Sequence, residues 1–200
     1  MYCRIKRFLD LVIALMLLAV LGLPMLVIMM IIRKDSRGPS VFRQERVGKD
    51  GRVFVCLKFR TMYTYAPSEL STLEFSDAER YITPVGRVLR RTSLDELPQL
   101  INVIKGDMSI IGPRPLIPRE EEMHKSRLDA GVYSLRPGIT GLAQVNGRDT
   151  LSDREKLAWD TEYLKNVGLF LDLKIICYTL IRVTTGKGIA SAGGEKHFEG

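Results

Sequence analysis

The stretch Leu11–Ile32, LVIALMLLAVLGLPMLVIMMII, is 22 residues without a charge, an amide or a hydroxyl. As a straight helix it would span roughly 33 Å, about the thickness of a bilayer's hydrocarbon core. A signal peptide fits it poorly, because the run is too long and no A-x-A-like site follows. A buried core helix with no polar face would be unusual in so small a domain. The stretch therefore reads as membrane-inserted. Pro24 complicates a simple span: it removes the backbone hydrogen bond to the carbonyl of Val20, and its ring presses on the preceding turn. Leu11–Leu23 and Pro24–Ile32 would then be helices of roughly 20 and 13 Å, each too short to cross alone. Arg4, Lys6 and Arg7 precede the run, and Arg33, Lys34 and Arg37 follow it, so no charge asymmetry sets an orientation. A helix that enters, bends at Pro24 and leaves on the same face satisfies both flanks; a kinked transmembrane helix is the alternative. Asp10, at the edge of the run, is expected to pair with Arg7 or Lys6, since an unpaired carboxylate there is costly.

The rest of the chain is different. Of 200 residues, 26% are charged and 46% apolar, which excludes a disordered chain, a fibrous repeat and a multi-span membrane protein. Lys and Arg number 30 against 23 Asp and Glu, a formal charge of +7. Cys3, Cys56 and Cys177 lie far apart and offer neither a disulfide framework nor a zinc site, which suits a reducing compartment.

Beyond the apolar run, Val41–Val47 and Arg52–Phe59 around Gly48-Lys49-Asp50-Gly51 read as a β-hairpin. Val53, Val55, Leu57 and Phe59 alternate onto one face, with Lys58 and Arg60 opposite. Residues 64–80 read as a loop with weak helix. Val85–Arg91 reads as a short basic helix, and Leu94–Lys105 as a stronger one stopped by Gly106. Ile110–Pro118 and Leu135–Gly147, punctuated by proline and glycine, read as loops. Ser152-x-x-Glu155 is a capping box opening a helix to about Asn166. Gly168–Val183 is broadly apolar and suits either a core helix or one lying in a membrane interface. A Gly-rich tail begins at Gly186.

Arginine is concentrated beside glycine and proline: Lys58/Arg60, Arg87/Arg90/Arg91, Arg114, Arg136 and Arg148. Guanidinium forks grip phosphates, which suggests a polyphosphate ligand; a basic surface facing anionic lipid would explain the same count. No nucleic-acid motif or interleaved aromatic pattern is present, so nucleic acid is not expected. His124 and His197 are isolated and read as surface residues. The stretch Thr92-Ser93-Leu94-Asp95-Glu96-Leu97-Pro98-Gln99 places two adjacent carboxylates at a helix start. Ser93 with Glu96 reads as a capping box. The functional reading has Asp95 attacking phosphorus and Glu96 ligating Mg²⁺, with arginines spreading the developing charge.

Lys58-Phe59-Arg60-Thr61-Met62, Ser93–Gln99, Lys105-Gly106-Asp107-Met108-Ser109, Gly112-Pro113-Arg114-Pro115 and Arg136-Pro137-Gly138-Ile139-Thr140-Gly141 occur in order. With Gln144-Val145-Asn146-Gly147-Arg148, they closely resemble the bacterial sugar transferase family, the monotopic polyprenyl-phosphate phosphoglycosyl transferases. The likeness runs from Lys6-Arg7-x-x-Asp10 to about Val183. It implies an α+β fold: a re-entrant helix-break-helix anchor over residues 1–36 with its bend at Pro24, then a mostly helical catalytic domain over 37–185 with a small β-hairpin and amphipathic interfacial helices. Residues 186–200 would be a tail. It also implies transfer of a sugar 1-phosphate from a UDP-sugar to undecaprenyl phosphate with release of UMP, at the cytoplasmic face of the bacterial inner membrane. By motif position, Asp95 would be the nucleophile of a phosphosugar-aspartyl intermediate and Glu96, with Asp95, would hold Mg²⁺. Arg90 and Arg114 would hold phosphate groups, and Lys58, Arg60 and Arg136 would be further substrate contacts. Inner-membrane phospholipid is an implied partner, and a homodimer is compatible with the pattern. Many relatives have Ser-Pro at the membrane bend, whereas here Leu23 precedes Pro24. The rival classes are a membrane-tethered scaffold that binds anionic lipid, and a phosphotransferase using a CDP-activated donor.

Overall fold

Helix α1 runs from Tyr2 to Asp35 in the computed structural model, which describes residues 2–66, 78–147 and 150–185. Pro24 lies inside this helix and does not end it. The two helices expected on either side of Pro24 are therefore one. A run of Leu, Met and Ala favours helix strongly, and proline costs the helix one bond among many. The apolar surface of α1 divides lengthwise. Asp10, Ala14, Met25 and Ile32 are buried, and Leu18, Leu21, Ile28 and Met29 pack between them against the rest of the protein. These positions recur every three or four residues, so they form one stripe. Val20 and Leu23, 72% and 73% exposed, lie off that stripe with Phe8, Met16, Leu26 and Met30.

The hairpin forms as expected: β1 (Val41–Val47) pairs antiparallel with β2 (Val53–Phe59), Val47 opposite Val53 and Val41 opposite Phe59. A 3₁₀ turn at Lys49–Gly51 joins them, with Asp50 and Gly51 at positive φ. Both faces of β2 contribute to the core: Phe59, on the expected apolar face, is buried with Met25, Ile32 and Leu89. Val53 and Val55 are exposed, whereas Phe54 and Cys56 pack into the core with Leu100, Val103 and Met108. Both faces of the strand carry apolar residues, so the period of two marks a strand without saying which side is covered. Lys58 shares the inward face of Phe54 and Cys56.

After α2 (Ala78–Tyr81) comes α3 (Pro84–Thr92), capped by the Thr83 hydroxyl, which accepts from the Gly86 N–H. The helix expected over Leu94–Lys105 is divided into a 3₁₀ turn, Leu94–Glu96, and α4, Gln99–Lys105. Ser93 is left-handed at φ 56° and Pro98 lacks an N–H, so a continuous helix is not available there. Gly106, at φ 96°, ends α4 as expected. Asn102, fully buried on α4, accepts from the Leu57 N–H at 3.0 Å and donates to the Val55 carbonyl at 2.7 Å. One side-chain amide thus fastens β2 to α4.

The two segments expected to be loops contain a parallel pair, β3 (Ser109–Ile111) with β4 (Gly138–Thr140). A Cβ on Gly138 would stand 2.1 Å from the Gly112 nitrogen, so only glycine permits this approach. Helix α5 (Glu121–Asp129) and a turn at Val132–Ser134 lie between these strands; α6 (Leu142–Asn146) follows β4. Helix α7 (Asp153–Asn166) opens on the expected capping box, both bonds between Ser152 and Glu155 being formed. In α8 (Leu169–Thr185), Asp172 and Ile175 are buried while Phe170, Leu173, Leu180 and Ile181 are exposed. It is a core helix on one side and carries an apolar outer surface on the other.

The first turns of α1 are held by polar contacts. Asp10 pairs with neither Arg7 nor Lys6: it accepts from the Ser109 hydroxyl at 2.8 Å and the Ile110 N–H at 3.1 Å. Lys6 and the Tyr2 hydroxyl instead reach Asp172 of α8, which also accepts from Tyr163 of α7. The tail, Arg148, His197 and most of residues 64–80 lie outside the described residues.

Candidate active site

The acidic turn Leu94-Asp95-Glu96 sits where α3 ends and α4 has not begun. Ser93 makes no capping bond from its side chain, so the expected box with Glu96 is not formed. The left-handed Ser93 turns the chain back, and Leu97 packs against α1 in the cluster that includes Leu18, Leu21 and Met25. The residue after the two carboxylates thus packs in the same cluster as Met25, the neighbour of Pro24.

Glu96 is 8% exposed. Its Oε1 lies 3.2 Å from Lys58 Nζ and 3.4 Å from Arg114 Nη1. Burying an unpaired carboxylate is expensive, and two cations on one oxygen offset that cost. Asp95 is half-buried. Burial first, and the Glu96 charge second, push its carboxyl above the usual aspartate range; Lys58, Arg90 and Arg114 pull it back. Arg90 is steadied by its Nε, which donates to the Thr61 hydroxyl at 2.9 Å. Two carboxylates and three cations thus converge from β2, α3, the acidic turn and the loop after β3.

Among the basic residues singled out in the sequence, Lys58, Arg90 and Arg114 come together at Asp95 and Glu96, and Arg60 and Arg136 are placed elsewhere. Arg60 is buried and donates to the carbonyls of Ile32, Ser36 and Arg37, closing the C-terminal end of α1. Arg136 donates from Nε to the Gly106 carbonyl at 2.9 Å. That is the far end of α4, about 10 Å of helix away from the acidic turn. Arg7 joins it there, donating to the Val103 and Ile104 carbonyls. The last carbonyls of a helix lack partners within it, and guanidinium groups satisfy them here.

The sequence reading missed Arg46. It donates to the Pro115 carbonyl at 3.0 Å and to Gln44 Oε1. Burial and nearby Arg114 push its guanidinium down to about 10, and Glu96 is among the charges it feels. Alternation along β1 gives no sign of this role. His124 is also not a free surface residue: one ring nitrogen meets the Tyr133 hydroxyl and the other the Ile117 carbonyl. Among the described residues, no three or more His, Cys, Asp or Glu side chains gather as a metal cage. Asp95 and Glu96 remain as adjacent oxygen donors. Mg²⁺ is usually held by one or two carboxylates plus substrate phosphates, so this donor set fits it.

The model of the family described as "Bacterial sugar transferase" matches residues 1–186. The chain belongs to the bacterial sugar transferase family. Similar members include the "Uncharacterized sugar transferase EpsL" of Bacillus subtilis, 40% identical over 185 residues, covering 92% of this chain and 90% of that protein. The "Exopolysaccharide production protein ExoY" of Rhizobium meliloti is 40% identical over 200 residues, 92% of this chain and 87% of the other. A "UDP-glucose:undecaprenyl-phosphate glucose-1-phosphate transferase" of Caulobacter vibrioides is 38% identical over 187 residues, 90% of this chain and 70% of that one.

Proposed function

We propose that this sugar transferase moves a sugar 1-phosphate from a UDP-sugar to undecaprenyl phosphate, through a covalent aspartyl intermediate, and so begins assembly of a glycoconjugate. The observation that carries the reading is the Asp95–Glu96 turn, faced by Lys58, Arg90 and Arg114 and seated on the apolar helix α1. The names of relatives from Caulobacter vibrioides and Klebsiella pneumoniae, both UDP-glucose:undecaprenyl-phosphate glucose-1-phosphate transferases, support the reaction class.

An Asp95 carboxylate oxygen attacks the phosphorus that carries the sugar. The pyrophosphate P–O bond breaks, UMP leaves with its electron pair, and the phosphosugar remains on Asp95 as an acyl phosphate. A phosphate oxygen of the undecaprenyl carrier then attacks the same phosphorus, frees the Asp95 carboxylate and forms the sugar-bearing diphosphate. One phosphoanhydride is lost and one gained. Arg90 and Arg114 hold phosphate oxygens. Lys58 neutralises Glu96 and helps keep Asp95 ionised. Asp95 and Glu96 would hold Mg²⁺, which when bound spreads the charge of the diphosphate.

The packing of α1 supports a monotopic placement. The domain covers one stripe of the helix from Asp10 to Ile32. A helix standing across the bilayer would carry that charged domain into the hydrocarbon with it. Held in one leaflet, residues 1–36 serve as anchor, and the outer apolar face of α8 rests beside α1 in the interface. Residues 37–185 then face the cytoplasm over inner-membrane phospholipid.

The test is UMP release from UDP-glucose or UDP-galactose with undecaprenyl phosphate. Asp95→Asn is expected to lose at least about 10³-fold, the scale of a removed nucleophile. A phosphosugar adduct on Asp95, found by mass spectrometry when the acceptor is withheld, is the companion result. Equal rates in variant and wild type overturn the mechanism.

A further inference from the structure

We propose that the buried ion pair Arg127–Asp160 is a positioning device for Arg114. Neither residue touches Asp95 or Glu96. Arg127 of α5 is 3% exposed and Asp160 of α7 is 1% exposed, and they meet at 2.5 Å between Nη2 and Oδ2. The other arm of the same fork, Nη1, donates to the main-chain carbonyl of Arg114 at 2.7 Å. Only a guanidinium offers two such donors in fixed relation: Asp160 sets the plane, and the plane sets the carbonyl.

The surrounding bonds show what is being held. Four consecutive carbonyls each accept from outside their own segment. Gly138 N–H donates to Pro113 at 2.9 Å, Arg127 to Arg114 at 2.7 Å, Arg46 to Pro115 at 3.0 Å, and Val47 N–H to Leu116 at 2.9 Å. The donors come from β4, α5 and β1. Pro113 and Pro115 fix φ on either side of Arg114. A surface loop does not need such restraint; a side chain that must meet a phosphate in one place does. A buried ion pair adds little net stability compared with apolar residues of the same shape, so the fold alone gives weak reason to keep this one.

This inference rests on the reading of Arg114 as a phosphate contact. The test uses the full chain in nanodiscs and the UMP-release assay with UDP-glucose or UDP-galactose. Arg127→Met with Asp160→Leu replaces the pair by apolar residues of similar size. It is expected to keep the melting temperature within about 4 °C and to lower kcat/KM about tenfold through a raised donor KM. In an Arg114→Ala background the same pair of changes is expected to cost less than about twofold. If the double variant does not fold, Arg127→Lys replaces it in both backgrounds, because an ammonium cannot reproduce the fork. Wild-type kcat/KM in the Arg127 variants, or an equal loss in both backgrounds, overturns the inference. If Arg114→Ala by itself is as fast as wild type while Asp95→Asn is inactive, the phosphate reading of Arg114 falls and this inference with it. If Arg114→Ala is slow and the Arg127 variants are not, only the positioning role falls.

Discussion

Arg114 and Arg136 stand in similar sequence surroundings, Gly112-Pro113-Arg114-Pro115 and Arg136-Pro137-Gly138, and follow neighbouring strands or lead into them. One points its guanidinium at Glu96, and the other closes the end of α4 on the Gly106 carbonyl. Arg90 and Arg60 divide in the same way, the first beside Asp95 and the second on the last carbonyls of α1. Asp95 and Glu96 supply the charge that draws Lys58, Arg90 and Arg114 together. At the two helix ends it is main-chain carbonyl oxygen that draws Arg60, Arg7 and Arg136. Basic residues that look uniform in sequence thus serve two ends, pairing with a buried carboxylate at one place and helix closure at two others.

Variants separate these roles. Arg114→Ala is expected to lower kcat/KM about 10²-fold with little change in melting temperature, checked by UMP release alongside thermal unfolding. Arg60→Met should reverse that pattern. Leaving the Ser36 and Arg37 carbonyls without their guanidinium donor, while Ile32 keeps the Ser36 N–H, is expected to cost about 2 kcal/mol of stability, and the protein that stays folded turns over within about threefold of wild type. A large catalytic loss with intact stability in Arg60→Met would erase the division. Proton titration sharpens it further. In the proposed mechanism Asp95 acts as a carboxylate, and its carboxyl is pushed upward, so the acid limb of kcat/KM should lie above the ordinary aspartate value of about 3.9. Lys58→Met removes a charge that favours ionisation, so it should move the limb higher still; Arg136→Met should leave it in place. The smallest effect concerns stability. A carboxyl whose folded value is raised stabilises the fold below its unfolded value and loses that contribution as pH rises through the folded one. Asp95→Asn is therefore expected to melt at or slightly above the wild-type temperature near neutral pH.

The features legible from sequence were those with strong local chemistry. The hairpin turn at Lys49–Gly51, the stop at Gly106 and the capping box at Ser152 and Glu155 all formed at the positions read for them. Lys58, Arg90 and Arg114, drawn from separate stretches of sequence, meet at the acidic turn, whereas Arg60 and Arg136 from the same motifs do not. What escaped depended on partners distant in sequence. Strands β3 and β4 have three residues each, too few to show a period, and exist because glycines let their backbones meet. Asp10 was expected to bond within its own helix turn and instead finds Ser109 and Ile110, about a hundred positions on. Arg46 and Arg127 carried no motif at all; their role appears only where they grip the carbonyls of Pro115 and Arg114.

The contact of Leu97 with α1 has a mechanical consequence. Leu97, directly after the acidic turn, shares one packed cluster with the apolar rod. In the proposed placement the two carboxylates would then keep a fixed height relative to the rod. A lipid-bound acceptor would meet them at that level, and only the small soluble donor would have to travel.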